Sequence, residues 1–137
     1  GVYLLWMQLS QPVLVSPGRL APQTLPAGHF AYVGSALGPG GLRARLRHHT
    51  QALKGRHWHI DYLTTTCAPQ AILYVVSQQR LECVWVQALR AAGAACPIVG
   101  FGNSDCRQPG CQAHLVHLPA AWSLLTIEDL LSWTICN

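Results

Sequence analysis

Apolar positions in this chain alternate between two periods, one suited to strands and one to helices. Residues 3–9 are almost continuously apolar and rich in strand-favouring types, until Ser10-Gln11-Pro12 ends the run. A central strand is predicted there. Val13-Leu14-Val15 and Arg19-Leu20 flank a Ser16-Pro17-Gly18 turn, which predicts a small hairpin. Residues 29–34 form the next strand, antiparallel to the first, so Tyr3 and Tyr32 fall on neighbouring strands. Gly38-Pro39-Gly40-Gly41 then breaks the chain before a helix from Leu42 to about Leu53. The pattern continues with a short helix over 58–65, a strand over 71–76, the longest helix over 79–92 and a strand over 113–118. Thr126 opens a last helix to about Trp133, as its N-cap, with Glu128 and Asp129 in the first turn. No repeat, low-complexity tract or linker interrupts the order. The fold class is α/β: a small, mainly antiparallel sheet flanked by helices. Residues 1–118 make the domain, and 119–137 are a helical extension of it.

Composition supports one globular domain. The chain has 137 residues, enough for one core but not two, and 50% of them are hydrophobic against 10% charged. No apolar run reaches the length of a membrane span, and no charged-then-apolar leader is expected at the start of the chain. The expected location is cytoplasmic, without membrane contact. Gly1 is not an initiator methionine, so the true start is expected to have been lost or trimmed. Six cysteines are scattered without the spacing of a small secreted scaffold, and most read as free and reduced.

Charge is unevenly distributed. Of nine Lys and Arg, Arg43, Arg45, Arg47, Lys54 and Arg56 share one stretch with His48, His49, His57 and His59, and no acid precedes Asp61. Such a window suits a polyanion, because each neutralised phosphate releases condensed counterions. A solvated helix face is the alternative. Helical geometry divides these arginines. Leu42, Leu46, His49 and Leu53 fall on one stripe with Arg45 on its shoulder, whereas Arg43 and Arg47 point elsewhere. A partly desolvated Arg45 would partner phosphate charge more strongly than a solvated one. Equally, Arg45 could lie over the core rim by its stem, with His49 a core histidine.

The long helix carries Leu81, Val84, Trp85, Ala88, Leu89 and Ala92 on its expected buried face, with Glu82 at roughly 80° from its centre. A carboxylate there needs a cation: Arg45, Arg80 or a metal ion. His57 and Asp61 are four residues apart and close enough to pair across one turn. Cys106, Cys111 and His114 supply three good zinc ligands, with Asp105 and His117 nearby for a fourth. Residues 113–118 alternate like a strand, which is read as setting His114 and His117 on one face.

Gly1-Val2-Tyr3, Tyr32-Val33-Gly34, Arg45 followed by His49, and Glu82 within an apolar helix resemble, in order and context, the GIY-YIG nuclease family. The insert between the tyrosine motifs, the run from His57 to Tyr62, and Gly100-Phe101-Gly102 before Ser104-Asp105-Cys106 are similar to its small, stand-alone Uri-like branch. The resemblance spans residues 1 to about 117. It implies that Glu82 binds Mg²⁺ or Mn²⁺, that Arg45 steadies the transition state, and that Tyr3 or Tyr32, helped by His49, aligns or activates water. His57 matches the histidine after the arginine helix. The branch also tends to carry cysteines and a histidine near Cys106, Cys111 and His114, and many members place an asparagine after the metal helix, for which Asn103 is the candidate. Similar domains occur joined to DNA-repair enzymes, which implies a repair-protein partner.

The expected activity is therefore divalent-metal-dependent hydrolysis of DNA, with RNA still open, and with Arg43, Arg47, Lys54, Arg56 and His57 gripping phosphates. One rival is a non-catalytic nucleic-acid-binding or docking module on the same scaffold. Another is an interaction domain stabilised by structural zinc.

Overall fold

The computed structural model describes residues 1–38, 40–51, 54–103, 106 and 108–135. Strand β1 (Val2–Leu9) pairs antiparallel with β4 (Gly28–Ser35) on one side and with β5 (Ala71–Val75) on the other. Strand β6 (Leu115–Leu118) adds to the far side of β4, giving the order β5-β1-β4-β6. The short strands β2 (Val13–Val15) and β3 (Gln23–Leu25) form a separate ribbon. The hairpin's second arm is therefore Gln23–Leu25, not the expected Arg19-Leu20, because Leu20 turns back to donate its amide to Pro17 O.

The apolar run of β1 is explained by burial on both faces. Tyr3, Leu5, Met7 and Leu9 join one core with Phe30, Tyr32, Ile60, Leu63, Phe101 and Leu115. Against that core pack Leu42 and Leu46 of α1 (Gly41–Thr50), while Leu63 comes from α2 (Asp61–Thr64). Val2, Leu4 and Trp6 face the opposite way, onto Trp85, Val86 and Leu89 of α3 (Glu82–Ala91) and Ile127 and Leu131 of α4 (Leu124–Ser132). The period of two along one strand thus splits its side chains between two helical layers.

Several boundaries move. Helix α1 stops at Thr50, and Leu53 lies outside the described residues, as do Pro39, Ser104, Asp105 and Cys136. Helix α2 is confined to Asp61–Thr64, preceded by turns. Helix α3 begins at Glu82 rather than 79, and its buried residues are Cys83, Trp85, Val86 and Leu89, with Val84 exposed. The correction is a rotation of the helix that turns Cys83 inward. In α4 the N-cap is Ser123, whose hydroxyl accepts from the Thr126 amide while the Thr126 hydroxyl accepts from the Ser123 amide. Thr126 is thus the third helical residue, and Glu128 and Asp129 lie beyond the first turn.

Helix α4 closes the second core, so residues beyond 118 belong to the same folding unit. Replacing fully buried Ile127 by Ala should lower the unfolding free energy by about 2–5 kcal/mol in chemical denaturation. Leu125→Ala, at a position 69% exposed, should change it by less than about 0.5 kcal/mol.

Candidate active site and adjoining metal-ligand cluster

Strand β6 covers β4 only as far as Tyr32, and the next amide, Val33 N–H, donates to His114 O as that chain diverges. A cleft opens beyond this point, lined by Tyr32, Gly34, Ser35, Arg45, Trp58, Arg80, Glu82, Gly102, Cys106 and His114. It lies where the two helical layers meet at the end of β4. Arg45 arrives from α1 and Glu82 from the first turn of α3.

The register places Tyr3 opposite Gly34 and Tyr32 opposite Leu5, so the two phenols are diagonal neighbours on one face, with ring centroids 6.5 Å apart. A Cβ at Gly34 would overlap the Tyr3 hydroxyl, and one at Gly102 would come within 2.6 Å of the Tyr32 ring. Both glycines are thus seats for phenols. Tyr32 borders the cleft; Tyr3 lies behind it, 1% exposed, with its hydroxyl 2.7 Å from His49 Nε2. Burial pushes the Tyr3 pKa up to about 12, which the Arg45 charge only partly offsets, and burial raises Tyr32 as well. Both phenols therefore stay protonated at neutral pH and serve as hydrogen-bonding groups.

Arg45 is held on two sides. Its guanidinium lies 4.0 Å from the centre of the Trp58 ring, and Nη1 donates to Ser35 O at 3.1 Å. Its freedom is reduced while its charge faces the cleft. Arg43 and Arg47 are exposed and border a different, more apolar groove with Leu42, Leu46, Tyr74 and Val76. Lys54 donates to His49 O at 2.9 Å, satisfying a carbonyl of the last turn of α1, and Arg56 lies over Tyr62. Of the expected phosphate-gripping residues, none lines the cleft; Arg80, expected only as a partner for Glu82, does.

His49 is 1% exposed and its pKa is lowered to about 3, chiefly by burial, against the opposing pull of Asp61. It is neutral at physiological pH and reaches the cleft only through Tyr3. Asp61 does not pair with the His57 ring. Its carboxylate accepts from the backbone amides of His57 and Trp58, at 2.8 and 2.9 Å, and lies 3.0 Å from His48 Nε2. Burial alone would raise the Asp61 pKa, but these hydrogen bonds outweigh it and hold the carboxyl below its usual range. His48, His49 and Asp61 are near enough to hold a metal ion, yet Asp61 is already occupied in ordering the start of α2.

Glu82 has no cation within ion-pair distance among the described residues, and its Oε2 is buried without a hydrogen-bond partner. Neither Arg45 nor Arg80 fills the expected role. Immediately beside it, Cys83 completes a second constellation. Cys83, Cys106, Cys111 and His114 each present one ligand atom within 4.8 Å of the others, a set that can hold a metal ion. Cys83 Sγ lies 2.9 Å from Cys106 Sγ, 3.5 Å from Cys111 Sγ and 3.4 Å from His114 Nε2. The fourth candidate ligand is thus Cys83, more than twenty residues upstream of the other three. Its signal was a cysteine next to the cleft carboxylate on an otherwise ordinary helix. His117 is excluded as that ligand: three residues from His114 along extended chain, it points the other way and stacks on Phe30 at 4.5 Å. Asn103 does not enter the cleft but donates to Cys111 O, steadying the ligand loop. Among the described cysteines all are free, as expected.

Residues 2–132 match the family model DUF123, described as a domain of unknown function. The chain belongs to the DUF123 family. No curated protein and no solved structure matched it in the corresponding searches. The DUF123 match runs from the start of β1 to the end of α4, so the family domain contains the cleft, all four cluster ligands and the C-terminal helix. Among the described residues of this DUF123 chain no helix is long and apolar enough to cross a membrane.

The buried neutral His49 gives a pH dependence whose sign follows directly. The unfolded chain takes up this proton near pH 6.5 and the folded chain only near 3, so below 6.5 the unfolded state binds more protons. Stability should fall as pH drops from 6.5 toward 3, by at most about 1.4 kcal/mol per pH unit from this group. Denaturant titrations across that range should show the slope, and His49→Gln should flatten it.

Proposed function

We propose that this DUF123 protein is a GIY-YIG-type endonuclease that hydrolyses DNA phosphodiesters with one divalent ion. The observation that carries this reading is the Glu82 carboxylate: partly buried, with no cation within ion-pair distance among the described residues, and facing a cleft that already holds Arg45 and Tyr32. Its orphaned oxygen is the donor a hard Mg²⁺ or Mn²⁺ ion requires, and such an ion supplies Lewis-acid charge at the phosphate. Arg45, fixed against Trp58 and Ser35, meets the negative charge that grows on the phosphoryl oxygens as water attacks. Water oxygen bonds to phosphorus as the bond to the leaving oxygen breaks; the water gives its proton to solvent in the open cleft, and the leaving oxygen takes one up from it. The Tyr32 hydroxyl orients that water. Behind it, the Tyr3 hydroxyl and neutral His49 form a hydrogen-bonded pair that fixes Tyr3 beside Tyr32.

The neighbouring cluster we read as a structural zinc site, since three thiolates and one imidazole suit tetrahedral Zn²⁺. DNA is the proposed partner. The cleft supplies Arg45 and Arg80 at the reacting phosphate, while Arg43, Arg47, Arg56 and His57 remain exposed around α1 and its following loop for more distant contacts. The other reading is a nucleic-acid-binding module without turnover. Its support is that Tyr32 at the cleft and Tyr3 behind it are both held protonated.

Glu82→Gln and Arg45→Ala are expected to lower Mg²⁺- or Mn²⁺-dependent cleavage of a panel of linear and branched DNAs by about 100-fold or more, with folding and DNA binding largely kept. Arg43→Ala, on the solvated face, should affect binding and its salt dependence rather than rate. Equal effects of the Arg43 and Arg45 substitutions would favour the non-catalytic module. Metal analysis of purified protein should find about one zinc per chain, as four ligands of this type require. Cys106→Ser should release it.

A further inference from the structure

Two features that look separate along the chain share one point of attachment. Glu82 and Cys83 are consecutive, and successive residues of a helix differ in direction by about 100°. One peptide unit therefore sends a carboxylate to the cleft and a thiol to the Cys/His cluster. Apolar packing of Leu81 and Trp85 on the second core holds this end of α3 from one side, but its N-cap, Leu81, makes no side-chain capping bond. Rotation of the first turn about the helix axis would swing Glu82 out of the cleft, and the thiol of Cys83 is placed to prevent it.

The opposite side of the cluster is anchored. His114 N–H donates to Phe101 O at 2.8 Å, and Gly100 N–H donates to Gln112 O at 2.7 Å. Gly102 N–H donates to His59 Nδ1 at 2.9 Å, and Asn103 holds the carbonyl of Cys111 at 3.0 Å. Cys106 and His114 are themselves part of the cleft wall. A metal ion bridging these groups to Cys83 would join the first turn of α3 to a loop that is tied to the core.

Distances and charge both suit this arrangement. Tetrahedral zinc with Zn–S bonds of about 2.3 Å separates its ligand atoms by about 3.8 Å, slightly more than the 2.9–3.5 Å between Cys83 Sγ and its three neighbours. A small outward adjustment admits the ion. The bond length of a disulfide, near 2.05 Å, is much shorter than the same contacts. Three thiolates and an imidazole around Zn²⁺ carry a net charge of −1, so the centre cannot neutralise Glu82. The carboxylate keeps its need for a second cation on the cleft side.

We propose that zinc at Cys83, Cys106, Cys111 and His114 positions Glu82, so that the cleft binds its divalent ion more tightly when the zinc centre is filled. This rests on the reading of Glu82 as the ligand of that ion, and Cys83 acts as a positioning residue through its neighbour.

The test is a Mn²⁺ titration of the ¹⁵N-labelled chain, followed by paramagnetic broadening of backbone amide signals, without DNA. Zinc-loaded protein should show broadening centred on Glu82. Reduced protein stripped with a zinc-selective chelator should need roughly 10–100-fold more Mn²⁺, as loss of ligand-orienting partners does elsewhere, with the sheet signals kept and affinity restored by added zinc. Cys111→Ser, at a ligand outside the cleft, should behave like stripped protein. Four results would overturn the inference: no bound zinc, no broadening at Glu82 in zinc-loaded protein, an unchanged Mn²⁺ midpoint in folded stripped protein, or global unfolding on stripping, which would make zinc a folding ligand. Zinc-dependent Mn²⁺ binding together with no cleavage of any DNA would leave this inference standing and remove the nuclease reading.

Discussion

The burial of β1 on both faces is the constraint on which the rest of the molecule depends. A strand covered on both sides must divide its side chains between two layers, and here each layer carries half of the cleft. Tyr3 and Tyr32 look toward α1, while Val2, Leu4 and Trp6 hold α3 and α4 against the other face. A slip of one residue in the β1–β4 register would put the two tyrosines on opposite faces of the sheet, one of them in the wrong core. Gly34, which seats the Tyr3 hydroxyl, would then face a different side chain, and the neat fit of phenol against bare backbone would be lost.

Polar groups are treated differently at the two depths of the site. The inner groups are largely satisfied: Tyr3 is bonded to His49, and Asp61 to two amides and His48. In the cleft, by contrast, Glu82 retains an unpaired oxygen and Arg45 a charge balanced by no carboxylate within ion-pair distance among the described residues. An inner shell that spends its hydrogen bonds on holding position, with outer groups left to meet a ligand, is the arrangement expected of a preorganised site. Among the described residues His29 Nδ1 and His49 Nδ1 are the other buried side-chain atoms without a partner, and the latter lies 3.8 Å from Asp61, near the limit of a direct contact.

The Cys/His cluster changes how the cleft is understood. It is not a distant staple but part of the wall, sharing Cys106 and His114 with the cleft and abutting Glu82 through Cys83. The family match covers cleft, cluster and α4 together, in keeping with one interdependent unit.

Much of this was readable from residue order. The central strand, the partner strand carrying Tyr32, the solvated positions of Arg43 and Arg47 and the partly shielded position of Arg45 follow from periodicity, because one buried face imposes a local repeat. Three of the four cluster ligands were visible because they are close in sequence. What periodicity could not supply was the rotation of α3 or the identity of the fourth ligand. Cys83 is more than twenty residues from Cys106, and its inward turn is set by packing of Trp85, Val86 and Leu89 against the sheet. Likewise, His57 and Asp61 have the spacing of a side-chain pair, yet the turn before α2 gives Asp61 to backbone amides instead. Local pattern determines which faces are apolar; only the packed layers decide which distant polar groups meet, since that depends on the register and rotation of whole elements.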